Sequence, residues 1–244
     1  MLLSSLHRSL LVSCQAPTDS PLHNPSMIAA MAQAALLRGA KGVRLDTPDH
    51  VQAVRALLPD AFIIGLWKQE TPGYSVYITP QFAQAEAIAA AGADMIAIDA
   101  TLRDRPGGET VAEIIERIHQ NLGKTVMADV DTLEAAQAAE AAGADWIGTT
   151  LYGYTEATAT QIPPGFDLLA KMTQSLSVPC ICEGGISSPE LAAQALKWGA
   201  YAVVVGTAIT GIDRQVQQYA QVMDTVSPED YHPQMPIFGY GEDQ

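Results

Sequence analysis

Positive charge is scarce in this chain. Its 244 residues carry 13 lysines and arginines against 27 aspartates and glutamates, a formal net charge of −14. A chain this acidic lacks the basic footprint that nucleic acid or an anionic membrane requires, so neither is expected as a partner. An anionic ligand would need local positive charge, which makes each Arg and Lys informative. Cysteine is scarce too, at Cys14, Cys180 and Cys182 only. An odd count within apolar runs argues against a disulfide framework and for a reducing compartment, the cytoplasm by default. Cys180 and Cys182 would share one face of a strand, but no second pair completes a metal site, so they read as core thiols. No apolar run approaches the roughly 20 residues of a membrane-spanning helix. His7 and Arg8 interrupt the one segment that loosely resembles a lipoprotein signal, so no export signal is expected.

What the chain has instead is short apolar runs that stop at glycine. Val178 to Ile181 leads through Cys182-Glu183 to Gly184-Gly185, and Val203-Val204-Val205 stops at Gly206-Thr207. One helical pattern, Pro189 to Trp198, lies between them, which makes a βαβ unit. Two glycine-ended strand tips side by side expose backbone N–H groups, and such a pocket suits a phosphate. In a (β/α)8 barrel this is where phosphate usually sits, after strands 7 and 8. The rest of the chain supplies the other strands. A helix end followed by Gly-Ala and an apolar strand recurs at Gly39, Gly92, Gly143 and Gly199, in steps of 53, 51 and 56 residues. Each step fits two βα units, so four repeats imply eight units. Apolar strands alternating with helices also suit an open doubly wound sheet, but the eight units favour a closed TIM barrel of the ribulose-phosphate-binding type. The expected division is one barrel domain over 1–226 and a Pro- and Gly-containing tail over 227–244. A short helix over 1–9 is expected on the barrel floor. Strands are expected at 10–15, 42–46, 62–68, 95–101, 125–130 and 146–150, a fourth helix at 110–121 and a last amphipathic helix at 212–226.

Function in this fold lives at the carboxyl ends of the strands. The expected tips carry Gln15, Arg44 with Asp46, Lys68, Asp99, Asp129 with Asp131, Thr149 with Thr150, and Glu183. One polar tip is a solvated rim; seven together are costly unless they work on something. Lys68 ends a wholly apolar strand beside Arg44, and desolvation and a neighbouring cation both favour a neutral amine. Such an amine acts as a general base or forms a Schiff base; the bland alternative is a snorkelling lysine. Glu183 lies across the mouth from Lys68, where the two would reach opposite faces of a flat substrate, unless Glu183 merely pairs with Arg44. Arg44 is the natural anion or hydroxyl clamp, and Asp129 could bind sugar hydroxyls. The carboxylates could hold a divalent metal, but no histidine joins them at a strand tip and Lys68 would compete for the site. The long loop from Gln69 to Pro80, with Tyr74 and Tyr77, could cover a site.

At these residues the chain resembles the N-acetylmannosamine-6-phosphate 2-epimerase family of sialic-acid catabolism. The matching stretches include Val12-Ser13-Cys14-Gln15, Val43-Arg44, Ile63 to Lys68, Ala97 to Thr101, Met127-Ala128-Asp129, Gly148 to Thr155, Cys182-Glu183-Gly184 and Val204 to Thr210. The run Gly-Thr-Thr-Leu-Tyr-Gly-Tyr-Thr is the most specific. The resemblance implies a phosphosugar epimerase that needs no metal or organic cofactor. It implies Lys68 and Glu183 as the proton-transferring pair and Gln15, Arg44 and Asp129 as sugar contacts, to which Thr149, Thr150 and Tyr154 of the matching run are added. Gly184, Gly185, Gly206 and Thr207 would cradle the phosphate. Many members carry arginine where this chain has Gly185 and Gly211; Arg214 follows three residues after the second. The implied reaction is inversion at carbon 2 of an N-acetylated aminosugar phosphate, by loss of a proton from one face and its return to the other. A Schiff-base aldolase with Lys68 as the covalent residue, and a phosphosugar-binding barrel without catalysis, are the competing readings. The expected partners are a small phosphosugar and, as an open assembly, a second copy of the chain in a homodimer.

Overall fold

The computed structural model describes residues 6–230. Eight parallel strands, β1 (Ser9–Cys14), β2 (Gly42–Asp46), β3 (Ile63–Leu66), β4 (Met95–Asp99), β5 (Thr125–Asp129), β6 (Trp146–Gly148), β7 (Cys180–Glu183) and β8 (Ala202–Val205), pair in sequence order. β8 returns to β1, with Ser9 opposite Ala202 and Val12 opposite Val205. The sheet is therefore a closed barrel and not an open doubly wound sheet. The helices are α1 (Pro25–Leu37), α2 (Pro48–Leu57), α3 (Phe82–Ala90), α4 (Val111–Arg117), α5 (Leu133–Ala141), α6 (Phe166–Ser175), α7 (Pro189–Lys197), α8 (Thr207–Thr210) and α9 (Ile212–Met223). None of the described helices is long and apolar enough to cross a membrane.

Local chemistry explains the boundaries. Asn24 Oδ1 accepts the Ser26 N–H at 2.9 Å and opens α1. Thr132 Oγ1 accepts the Ala135 N–H at 3.2 Å and opens α5. Each such cap is worth about 1 kcal/mol. The recurring Gly39, Gly92, Gly143 and Gly199 have φ of 109°, 105°, 95° and 93°, the left-handed conformation that closes a helix and that side chains resist.

Several expected strands are shorter than the apolar runs. β3 stops at Leu66 rather than Lys68, β4 at Asp99 rather than Thr101, and β6 at Gly148 rather than Thr150. Beyond these points the backbone takes other partners: the Thr101 N–H is held by Asp99 Oδ1 at 3.0 Å. The Lys68 segment leaves the barrel to pair with Ile78 in an antiparallel bridge. α4 ends at Arg117, where the backbone widens into a π turn over Ile118–Leu122 closed by Gly123. The short α8 precedes α9, and α9 ends three residues before Val226. Of the expected floor helix, residues 1–5 lie outside the described residues, as do residues 231–244 of the expected tail. Leu6 is fully buried among Leu11, Phe62 and Trp146 and plugs the barrel floor.

Alternation along the strands sorts the core into two layers. Val12, Val43, Ile63, Ile96, Val126, Ile147 and Val203 face outward to the helices. Leu11, Ile64, Met95, Met127, Trp146, Ile181 and Val204 fill the barrel. Cys14, Cys180 and Cys182 belong to the outer layer and are free thiols. Burial pushes Cys14 and Cys180 up to about 12 and Cys182 up to about 11, so none is a nucleophile near neutrality. The same alternation turns Arg44, Asp129 and Glu183 inward, above the apolar filling.

Candidate active site

Arg44 is the hub of the barrel mouth. Its Nη1 donates to Asp129 Oδ1 at 3.0 Å and to Glu183 Oε2 at 2.9 Å, and its Nη2 donates to Asp129 Oδ2 at 2.5 Å. Its residual exposure is 1%, and Nε is buried without a partner among the described residues. Burial alone would weaken this charge, but the fields of Asp129 and Glu183 outweigh it and hold the guanidinium above its usual value. Thr150 Oγ1 donates to Asp129 Oδ1 at 2.6 Å and stands 3.4 Å from Glu183 Oε2. Thr149 is spent on the backbone: its hydroxyl donates to Glu183 O at 2.9 Å and accepts the Glu183 N–H at 3.2 Å. Asp99 is turned instead to Thr101 and to Arg103, whose Nη2 lies 2.6 Å away.

Glu183 keeps 12% of its side chain exposed at the floor of the mouth. Its pKa is raised to about 7, by burial first and by the Asp129 charge, against the pull of Arg44, Lys68 and the Thr150 hydroxyl. The pairing with Arg44 therefore exists, and it does not keep Glu183 fully ionised at neutral pH.

The Lys68 side chain keeps 41% of its surface exposed, because β3 ends two residues earlier and the chain turns out to the rim. Asp46 holds it twice: Oδ1 accepts the Lys68 main-chain N–H at 2.9 Å and Oδ2 lies 3.7 Å from Nζ. Nζ also donates to Gln15 Oε1. Arg44 stands on the neighbouring strand β2, with its guanidinium held by Asp129 and Glu183.

A cavity of about 680 Å³ opens at this rim, lined among others by Gln15, Lys68, Tyr77, Gly206, Thr207 and Arg214. Gln15 and Lys68 thus share a cavity with the β8 tip, while Arg44, Asp129 and Thr149 are buried and Thr150 half-buried. Tyr154 is 57% exposed, with its ring over Gly184: a Cβ there would stand 3.4 Å from Tyr154 Cε2. Gly185 has φ of 69°, and a Cβ on it would lie 2.5 Å from Pro163 Cβ and 2.7 Å from Pro163 C. The Pro163-Pro164 segment therefore occupies the place of any side chain at 185. Gly211 is closed as well, since a Cβ on it would stand 2.8 Å from Thr207 Cα. The guanidinium of Arg214 has no partner among the described residues and is the free cation on this wall.

Asp46, named at a strand tip without a role, and His23 and Tyr77, which lie off the strands, complete the mouth. Asp46 ends β2 and turns out to hold Lys68. His23 lines the cavity from the β1–α1 loop, where its Nδ1 is 3.0 Å from Ala16 O. A histidine therefore does stand at the mouth, although none ends a strand. His23 packs edge-on against His50, with ring centroids 4.7 Å apart. Tyr77 lines the cavity, whereas Tyr74 lies outside it. Only the loop length hints at Tyr77, because its placement depends on the ribbon made with residues 67–69.

Comparison with known proteins places this geometry. A family model described as "Putative N-acetylmannosamine-6-phosphate epimerase" matches residues 28–225. A protein of Synechococcus elongatus named as such a 2-epimerase is 63% identical over 223 residues, 91% of this chain and 96% of its own length. A like-named protein of Thermosynechococcus vestitus is 60% identical over 222 residues, 91% of this chain and 96% of its own. The solved N-acetylmannosamine-6-phosphate 2-epimerase of Clostridium perfringens superposes with a TM-score of 0.86 at 34% identity, covering 91% of this chain and 96% of that one. This chain belongs to the N-acetylmannosamine-6-phosphate epimerase family.

Proposed function

We propose that this chain interconverts N-acetylmannosamine 6-phosphate and N-acetylglucosamine 6-phosphate, with Lys68 and Glu183 moving the proton at carbon 2. The observation that carries the reading is a lysine amine on the rim whose field reaches the inward-turned carboxyl of Glu183, which burial raises to about 7. In the open-chain aldehyde the carbon 2 proton is acidified by the carbonyl. One group takes it, leaving a planar enolate, and the other protonates the opposite face. Gln15 holds Lys68 and is available to a sugar hydroxyl. Thr150, Asp129 and Arg44 act through Glu183, and Thr149 fixes its backbone. Gly184, Gly185, Gly206 and Thr207 offer main-chain N–H groups to the phosphate, and Arg214 supplies the charge. Tyr154 closes over Gly184. Three buried free thiols suit a reducing compartment, and we assign the enzyme to the cytoplasm on that ground. The test is proton NMR in deuterated water with N-acetylmannosamine 6-phosphate. Growth of the gluco epimer carrying deuterium at carbon 2 supports the reading, and bound substrate with neither inversion nor exchange would sink it.

The pH profile follows from proton counting. Neutral Lys68 with protonated Glu183 runs one direction, and protonated Lys68 with ionised Glu183 runs the other. Both forms hold one proton on the pair, so kcat/KM has the same bell shape in both directions. Glu183 is raised to about 7, so kcat/KM falls as pH drops through about 7 and the pair takes up its second proton. Rates measured from both epimers across pH 5 to 9 check this; a profile flat down to pH 5 contradicts it.

A second copy of the chain is part of the proposal. No side chain of α9 is buried. Ile212, Val216, Tyr219 and Met223 form one exposed apolar stripe, with Tyr219 71% exposed. Such a stripe is self-complementary across a two-fold axis. Sedimentation velocity should show a dimer that Val216→Asp with Tyr219→Asp converts to monomer; a monomeric wild type removes this part of the proposal.

A further inference from the structure

The enolate formed at carbon 2 places negative charge on the oxygen of carbon 1, and a donor must meet it. Arg44 is not free to do so. Its two terminal nitrogens serve Asp129, Glu183 and Met127 Sδ, the last at 3.5 Å, in a buried layer. On the cavity wall, Lys68 Nζ is held by Gln15 and Asp46 and is itself a proton carrier. Gln15 Nε2 donates to Ser13 Oγ at 3.0 Å. Arg214 and the main chain of Gly206 and Thr207 lie at the β8 end, where the phosphate belongs.

Tyr77 remains. It lines the same cavity, and its hydroxyl makes no hydrogen bond to any described residue. Its ring packs on the barrel-filling cluster. Its backbone is tied directly to the Lys68 segment: the Gln69 N–H donates to Tyr77 O at 2.9 Å, Lys68 bridges Ile78, and the Thr79 N–H donates to Trp67 O at 2.9 Å. Arg103 anchors the same ribbon, with Nη1 donating to Ser75 O at 2.9 Å while Nη2 pairs with Asp99. The phenol is therefore fixed relative to the amine of Lys68, which a donor at a reacting carbon requires. Burial first, then Asp129 and Asp99, raise the phenol above its usual value, against Arg44 and Arg103. It stays a neutral donor rather than a competing base.

We propose that Tyr77 is a catalytic residue whose hydroxyl donates a hydrogen bond to the carbon 1 oxygen as the carbon 2 proton leaves. In that step the C2–H bond breaks, its electron pair forms the C1–C2 double bond, and the carbonyl pair moves onto the oxygen that Tyr77 faces. The proton goes to Lys68 or Glu183, and no oxidant or reductant takes part. The inference rests on the epimerisation proposed above.

The test is Tyr77→Phe, which keeps the ring and its packing and removes only an oxygen with no hydrogen-bond partner among the described residues. Both kcat and the rate of deuterium entry at carbon 2 should fall about 100-fold, the scale of losing one oxyanion donor, with KM within about twofold of wild type. A kcat within about twofold of wild type overturns the role of Tyr77 and leaves the epimerase reading standing. A raised KM with unchanged kcat also overturns it, because the contact would then be made equally in the ground state. A wild type that shows no exchange at all overturns the proposed function and this inference together.

Discussion

Net epimerisation should disappear in both Lys68→Ala and Glu183→Gln, with kcat lowered by about 10²–10⁴-fold in each, the usual contribution of a positioned acid–base group. Glutamine at 183 keeps the shape and an oxygen for the Arg44 Nη1 bond now made at 2.9 Å, so this loss would not reflect unfolding. Ala at 68 removes a side chain that is already 41% exposed and leaves the backbone bond to Asp46 in place. The two losses should not add, because proton removal and proton return are successive steps of one turnover. The variants should differ in one respect. Each keeps the group that serves one epimer, so each should still exchange the carbon 2 proton of that epimer without inverting it. NMR in deuterated water, started separately from the manno and gluco substrates, reads this directly and assigns each base to its epimer. Full epimerisation by either variant would remove that residue from the mechanism. A wild-type adduct with substrate trapped by borohydride would instead favour the Schiff-base reading of Lys68.

Arg44→Met should cost about 3–5 kcal/mol of stability, the cost of leaving a buried charge without its partner. Asp129 is fully buried and receives both terminal nitrogens of Arg44, and Glu183 shares the same guanidinium. Without Arg44 two carboxylates face each other with only the Thr150 hydroxyl between them. For a chain of 244 residues this corresponds to a fall in Tm on the order of 10 °C. Arg44→Lys should recover only part of the loss, because one ammonium cannot span two carboxylates as a planar fork does. Arg44→Met combined with Asp129→Leu should be more stable than Arg44→Met alone, since it removes the stranded charge. Thermal melts of the three variants decide the matter, and a single variant that melts with wild type would show that water or relaxation already screens Asp129.

The barrel was legible because its signals are local and repeated. Each apolar run but the last ends at a polar residue, and each helix end at 39, 92, 143 and 199 carries a glycine whose left-handed φ follows from the turn it makes. The polar residues at the tips were readable for the same reason. Their partners were not: Arg44 reaches Asp129 85 positions away and Glu183 139 positions away, and no periodicity spans such distances. The expected end of β3 at Lys68 failed because apolar character continues through Trp67 while the ladder stops at Leu66. The backbone had a better partner in the 77–79 segment than in the barrel, and that competition is invisible in a hydrophobic pattern. The absence of a side chain at 185 was plain in the sequence, but its cause, Pro163 against the glycine Cα, belongs to a loop 22 residues upstream.

Near neighbours along the chain thus set the eight βα units and the short set of polar residues at their strand tips, because strand alternation, helix caps and glycine turns are short-range effects. Which of those residues meet was settled by closure of the barrel. It brought Arg44 to Asp129 and Glu183, set Lys68 on Asp46 and Gln15 at the rim, raised Glu183 to about 7 by burial, and carried Tyr77 over the cavity. Hydrogen bonds and desolvation act through space, and their strength depends on distances that exist only once the barrel has closed.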